Sequence, residues 1–328
     1  MKKTIVGVLC GGFSSEKEIS FKSGLNVLNN LSEKLWASYL IKFNRNDWII
    51  EDKEEKKYHF FINDFSFKKN GEKIKFDVIF NAIHGAPGEN GQIISFIELI
   101  NIPYTGSNSY SSALTFNKRD CLSILKNYGI NSSNNYYLDQ GQKINEDEII
   151  KSVGLPCFVK ANRSGSSFGI YKVYKKNKLS ISIKKAFKED SQLIIEKALK
   201  GREFSVGVYQ LNNEIKVLPI TEIISENDFF DYSAKYEGKS EEITPAKLDN
   251  NNINRLKELS MKIFKILNLK GFTRSEFIIE NNIPYLLDVN TVPGLTKESI
   301  FPKQLLAANI SLDSFFNDLL IEAINKKN

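Results

Sequence analysis

A continuous apolar run from Thr4 to Leu9 is closed by Gly11-Gly12 and followed by Ser15-Glu16-Lys17-Glu18. An unbroken run of this length reads as a strand buried on both faces, which is the habit of parallel sheets. The glycine pair is the turn, and Ser15 with Glu18 three residues on is a capping-box pattern that opens a helix. Ile19, Val27, Leu28 and Leu31 share one face of that helix. Strand, glycine turn and helix begin an α/β unit, so the first part of the chain is expected to form a Rossmann-like domain. Residues 76–83 repeat the buried strand and lead into the loop 84–91 and a helix over 92–99. That loop starts at His84, at the end of a parallel strand, where ligands bind in such sheets.

The domain exits through Ile102-Pro103-Tyr104-Thr105-Gly106. Beyond it, helices are predicted over 118–128 and 146–153, stopped by Gly129 and Gly154, with short strands over 156–160, 170–173 and 192–196. Alternating helices and antiparallel strands make this a small α+β lid domain. From Gly201 the pattern changes to strands over 203–209 and 214–220, a helix over 254–267 and a last helix over 312–324. The expected domains are therefore 1–103, 104–197 and 198–328.

Apolar residues at 41 % and charged residues at 26 % are those of a globular protein. The 45 basic and 39 acidic side chains are scattered, which suits anionic small molecules rather than a nucleic-acid stripe. Cys10, Cys121 and Cys157 are far apart in apolar or helical contexts and read as reduced core residues. The apolar run after Met1 is too short for an export signal and no run reaches membrane-spanning length, so a cytoplasmic enzyme with an intact start is expected.

Residues 271–279 and 283–289 alternate as two strands around the turn Glu280-Asn281-Asn282, so pairing brings Glu276 close to Asp288. Glu276, Asp288 and Asn290 are the hard oxygen ligands that magnesium takes on a polyphosphate, although acidic residues on a solvated hairpin look the same. The loop 162–169, with Ser164, Gly165, Ser166 and Ser167, follows Lys160. Its backbone N–H groups suit a phosphate and Lys160 supplies a point charge; a flexible turn is the alternative. No Walker pattern exists, so a nucleotide would lie under a glycine-rich flap. Glu196, Lys197 and Leu199 precede Gly201 as a hinge suited to an adenine, with Glu203 placed for ribose hydroxyls. Residues 230–236 read as a closing surface loop. With only His59 and His84 present, a histidine metal cluster is excluded.

Together, Gly11 to Ser20, His84-Gly85 with Gly88-Glu89-Asn90-Gly91, residues 102–106, 165–169, Gly201-Arg202-Glu203-Phe204, residues 230–236 and Asn290 to Thr296 resemble, in order and spacing, the D-alanine-D-alanine ligases of the ATP-grasp superfamily. The resemblance implies a three-domain α/β ATP-grasp fold and a two-step reaction. ATP phosphorylates one D-alanine, and the amine of a second attacks the acyl phosphate, giving a peptidoglycan precursor. It implies that Lys118, Lys160 and Lys235 hold phosphates with two magnesium ions, manganese being an alternative. Glu16, aided by His84, would hold the first D-alanine ammonium, and Arg274 with the Gly294 N–H would face the oxyanion. Ser299, with Lys235 and Arg274, would take the second D-alanine carboxylate, while Glu16, Ser166 and Tyr236 close the site. Lys235-Tyr236 favours an amine acceptor over D-lactate, and a homodimer is usual in the family.

Two departures stand out. The family has Asp where this chain has Glu276 and Glu where it has Asp288, and Lys160-Ala161 replaces the usual Lys-Pro. A compensating exchange keeps ligand type and summed reach, so retained activity is expected. The rivals are a neighbouring ATP-grasp ligase with another acid and amine, and an ATP-binding regulator without turnover. A nicotinamide dehydrogenase fails for lack of G-x-G-x-x-G.

Overall fold

The computed structural model describes residues 3–45, 47–166, 168–225 and 240–326. The expected first strand is β1 (Thr4–Gly11), buried throughout from Val6 onward, and α1 (Lys17–Asn30) follows it. The first sheet continues with β2 (Trp36–Phe43), β3 (Trp48–Glu51), β4 (Lys57–Phe61), β5 (Ser66–Lys69), β6 (Glu72–Lys75) and β7 (Val78–Asn81), in the order β6-β5-β4-β3-β2-β1-β7. β2 and β7 flank β1 in parallel, and the pairings beyond β2 are antiparallel. The sequence reading finds no strand between 32 and 75, so it misses β2 as well as the meander over β3 to β6. The meander there uses strands of four or five residues carrying several lysines, too short to show a period.

The capping box does not form. Glu16, not Ser15, occupies the N-cap of α1, without a side-chain capping bond, and the Ser15 hydroxyl one residue earlier donates to Glu189 of the lid at 3.2 Å. The helix α2 (Gln92–Leu99) starts as expected after the loop at His84.

Next come α3 (Ser109–Phe116) and α4 (Lys118–Asn127), then β8 (Asn135–Asp139), α5 (Glu146–Val153), β9 (Cys157–Ala161), β10 (Ile170–Val173), α6 (Leu179–Ala186) and β11 (Gln192–Lys197). Four of these strands form a fully antiparallel sheet, β10-β9-β11-β8, as expected of the lid. Leu138, Ile149, Val159, Ile183 and Leu193 give it a core of its own. The helices α3 and α4, within the expected lid span, lie instead on the third sheet: Cys121, Leu122 and Leu125 pack with Phe204, Val206 and Phe277.

That third sheet contains β12 (Arg202–Leu211), β13 (Glu214–Val217), β14 (Thr221–Ser225), β15 (Ser240–Ile243), β16 (Phe272–Glu280) and β17 (Ile283–Asn290), in the order β15-β14-β12-β16-β17 with β13 on β12. The helix α7 (Asn250–Ile266) covers it, and α8 (Ile300–Ala307) and α9 (Leu312–Asn325) end the chain. Phe315 and Phe316 of α9, with Phe272 and Phe301, join Val6, Val8, Val78 and Phe80 in one core. The first and third sheets are thus packed as one body through α9, while the lid is built around a separate core.

Candidate functional site

The hairpin β16–β17 forms with the expected pairing. Glu276 lies directly opposite Asp288 and Arg274 opposite Asn290, with a register shift after Glu276. Asn281 and Asn282 both take positive φ, 52° and 61°, as a two-residue turn of this hand requires. A carboxylate pair therefore sits on one strand-to-strand rung, where sequence separation alone would leave it twelve residues apart.

Facing this rung is a cavity of about 520 Å³ between the lid and the third sheet. Lys118, Lys160, Glu196, Leu199, Glu203, Glu276 and Asp288 line it, together with Ser164, Gly165 and Ser166 of the lid loop. The Lys160 ammonium is 2.6 Å from Glu196, and the Lys118 ammonium donates to Ser164 O at 2.6 Å and lies 3.7 Å from Asp288. Burial alone would push Lys160 down, but Glu196, Asp288 and Glu203 more than offset it, so the lysine titrates above its ordinary range and stays charged. Two fixed cations beside a carboxylate rung suit a polyphosphate carrying a divalent cation.

Phe158, Ile170, Ile223 and Ile278 supply an apolar wall that sequence reasoning missed. The signal was the alternation in β9: Val159 enters the lid core while Phe158 and Lys160 point to the other face. Which face meets a ligand is settled only when the sheets are assembled. Lys172 and Lys160 each lie 5.6 Å from the Phe158 ring. Lys197 also lines the cavity, and its ammonium pairs with Glu280 at 3.2 Å. Its N–H donates to Asn134 O and its carbonyl accepts from Ser133 Oγ.

A second group of residues adjoins this chamber. Glu16, almost fully buried, accepts from Ser166 Oγ at 2.6 Å with one carboxylate oxygen, while the other has no hydrogen-bond partner among the described residues. A methyl group on Gly165 would fall 2.4 Å from that unpartnered oxygen, so a larger residue here would displace the Glu16 carboxylate from its place under the lid loop. Both nitrogens of the His84 ring are engaged, Nδ1 at 2.8 Å from Val292 O and Nε2 at 2.8 Å from Ser23 Oγ. Burial lowers its pKa, opposed by Glu16 and assisted by Arg274, so the carboxylate and the guanidinium both act on this imidazole. Glu89, which sequence reasoning passed over, accepts the Gly85 N–H at 2.7 Å. Burial and then Glu16 push its carboxyl up to about 8.

Arg274 pairs with Glu276 at 2.9 Å, and its buried Nε has no hydrogen-bond partner among the described residues. The Ser299 hydroxyl, 2.9 Å from Thr296 Oγ1, sits where a methyl on Gly294 would come within 2.7 Å of it. Ser167, Lys235 and Tyr236 lie outside the described residues.

The donor set fits magnesium. Asn290 Oδ1 accepts the Val292 N–H at 2.8 Å, which fixes the amide with its oxygen oriented and one lone pair left over. No cluster of three or more His, Cys, Asp or Glu among the described residues holds a metal unaided. Two carboxylates and an amide oxygen, completed by phosphate and water, are what magnesium accepts on a nucleotide.

A nucleotide-sized chamber between an antiparallel lid and a large antiparallel sheet, with paired lysines above and a carboxylate rung below, defines an ATP-grasp ligase. Residues 5–107 match the family described as D-ala D-ala ligase N-terminus, and residues 124–321 the one described as D-ala D-ala ligase C-terminus. The chain belongs to the D-alanine–D-alanine ligase family. It is 50 % identical over 315 residues to a D-alanine–D-alanine ligase of Flavobacterium johnsoniae, covering 96 % of this chain and 98 % of that one. Its fold superposes with a TM-score of 0.89 on D-alanyl-alanine synthetase A of Vibrio cholerae, at 28 % identity over 99 % and 100 % of the two chains. The ATP complex of the Bacillus anthracis D-alanine–D-alanine ligase matches at TM-score 0.79 and 29 % identity, over 100 % and 99 %.

Proposed function

We infer that the chain joins two D-alanine molecules into D-alanyl-D-alanine, using ATP and passing through an acyl phosphate, to supply peptidoglycan synthesis. The observation that carries the residue-level reading is the Glu16 carboxylate, held by Ser166 on one oxygen and left with the other buried and unpartnered. A buried anionic oxygen of this kind calls for a cation, and the ammonium of an amino acid supplies one.

In this reading ATP occupies the chamber, with its base near Glu196, Lys197 and Leu199, its ribose at Glu203 and its phosphates at Lys118, Lys160 and the loop containing Ser167. Glu276, Asp288 and Asn290 hold two magnesium ions, or manganese, which when bound neutralise charge on the phosphates. Phosphoryl transfer needs mainly positioning and charge neutralisation, and the two lysines provide fixed charge. Glu16 orients the first D-alanine, with His84 behind it, so that its carboxylate meets the terminal phosphate. Arg274 and the Gly294 N–H stabilise the oxyanion that develops when the second amine attacks, a contribution often among the largest in catalysis. Ser299, Arg274 and Lys235 hold the carboxylate of that second D-alanine. Ser166 and Tyr236 join Glu16 in closing the lid loop and excluding water that would hydrolyse the acyl phosphate.

The exchanged lengths of Glu276 and Asp288 leave one rung with two carboxylates, so magnesium-dependent activity is retained. We place domain boundaries at 1–103, 104–197 and 198–328, with α3 and α4 of the middle span packed on the third sheet, the reaction in the cytoplasm where ATP is available, and the working form as a homodimer on the resemblance alone. The deciding experiment is phosphate release from ATP with D-alanine, compared with D-lactate and L-alanine. D-alanine-dependent release is expected; its absence would overturn the reading.

A further inference from the structure

Gly294 lies between β17 and α8 of the third domain, yet the residue beside it is held from the first. Asn26 Nδ2 on α1 donates to Leu295 O at 2.6 Å, and the Leu295 N–H donates to Ser23 Oγ at 3.2 Å. Both polar backbone groups of Leu295 are thus gripped by one face of α1, three residues apart and therefore adjacent on the helix.

The grip continues through His84. A carbonyl only accepts, so the ring nitrogen facing Val292 O carries the proton, and a buried neutral ring then accepts from the Ser23 hydroxyl at Nε2. Ser23 is completely buried, and its hydroxyl links the Leu295 N–H to the imidazole that holds Val292. Asn30 Nδ2 lies 3.2 Å from Asn26 Oδ1, which turns the Asn26 amide so that its NH₂ faces Leu295. The turn is therefore anchored on each side of Gly294, at Val292 and at Leu295. The Gly294 N–H itself makes no hydrogen bond within the described residues.

We propose that Ser23 and Asn26 of α1 are positioning residues that aim the Gly294 amide at the reacting centre from across the domain boundary. The proposal rests on the reading of Gly294 as an oxyanion donor. Such donors act only within a few tenths of an ångström of their target, and displacement by about 1 Å costs on the order of 100-fold in rate. If α1 and the turn merely packed together, losing these bonds would lower stability and leave each chemical step alike.

The test compares the full chain with Ser23→Ala and Asn26→Ala in melting temperature, kcat, both KM values and positional isotope exchange in labelled ATP with D-alanine present. That exchange follows acyl phosphate formation without the second amine attack. We expect ligation kcat to fall roughly 10- to 100-fold, with the KM for ATP and the exchange rate within about threefold of the parent. An unchanged kcat in both variants overturns the proposal. If kcat and exchange fall together at constant KM for ATP, the grip stands and the assignment of Gly294 to the second step falls. Asn26 is only partly buried, so it carries the test should Ser23→Ala not fold.

Discussion

At the scale of single residues, Glu16 and Glu89 are two carboxylates placed in opposite electrostatic settings. Glu16 has one oxygen paired with Ser166 and one with no hydrogen-bond partner among the described residues. Glu16→Gln keeps an acceptor for Ser166 and removes only the charge. Hydrogen bonds to charged groups contribute roughly 1.5–3 kcal/mol, so kcat/KM for D-alanine should fall about 10- to 150-fold while the KM for ATP holds. Initial rates at varied D-alanine check this, and a parent-like kcat/KM would remove Glu16 from the ammonium site. Glu89 titrates near 8 because burial, then Glu16, oppose its ionisation, with Asp288 adding to this and the Gly85 N–H and Lys118 working against it. Its folded pKa exceeds its unfolded one, so the protonated form is favoured by folding. That contribution is complete below about pH 4.5 and is lost as pH rises through about 8. Glu89→Gln, which still accepts from Gly85, should flatten the fall in melting temperature between those limits. Parallel melting curves for the two proteins would contradict it.

At the scale of elements, much of the site was legible because its parts carry local signals. Gly129 and Gly154 end α4 and α5, and two asparagines in the left-handed region make the turn that aligns Glu276 with Asp288. β2 was missed, and the meander β3 to β6 after it was not legible, since strands of four or five residues show no period. Nor was the wall of Phe158, Ile170, Ile223 and Ile278, because alternation reveals two faces of a strand but not which of them meets a ligand. Ser15 misled because the helix starts one residue later than its pattern implies, with Glu16 at the N-cap and the Ser15 hydroxyl donating to Glu189 of the lid. The lid loop is the element whose seating is most demanding. Gly165→Ala would put a methyl 2.4 Å from the Glu16 carboxylate. Closure should fail, lowering kcat more than tenfold in keeping with the sensitivity of aligned groups to about 1 Å. The lid core is distant in packing, so melting temperature should change by only a few degrees. Normal turnover by this variant would show that the loop does not close on Glu16. In the hairpin, Glu276→Gln should raise the magnesium concentration needed for half-maximal rate, measured by metal titration of phosphate release.

At the scale of the whole molecule, the proposed reaction requires Glu16 and His84, carried by the first domain, to keep their place relative to Arg274 and Gly294, carried by the third. The core around α9 does this. Phe316 is fully buried and meets Phe80 of β7 edge-on with ring centroids 5.5 Å apart, while Phe315 meets Phe272 of β16 at 5.8 Å. Asn317 adds a polar tie, accepting from the Trp36 indole at 2.5 Å. The lid joins the first domain through polar contacts, Ser15 to Glu189 and Ser166 to Glu16. A shared apolar core makes two sheets unfold together, whereas polar contacts leave a partner free to move. Phe316→Ala should therefore cost about 3–5 kcal/mol and lower the melting point of the first and third domains as one transition, by roughly 10 °C. Differential scanning calorimetry with hydrogen exchange tests this. Protection should fall in β1, β7 and β16 alike, and the lid strands β8 to β11 should keep theirs until the common transition. Loss confined to the first sheet would mean that α9 does not hold the two halves of the site together.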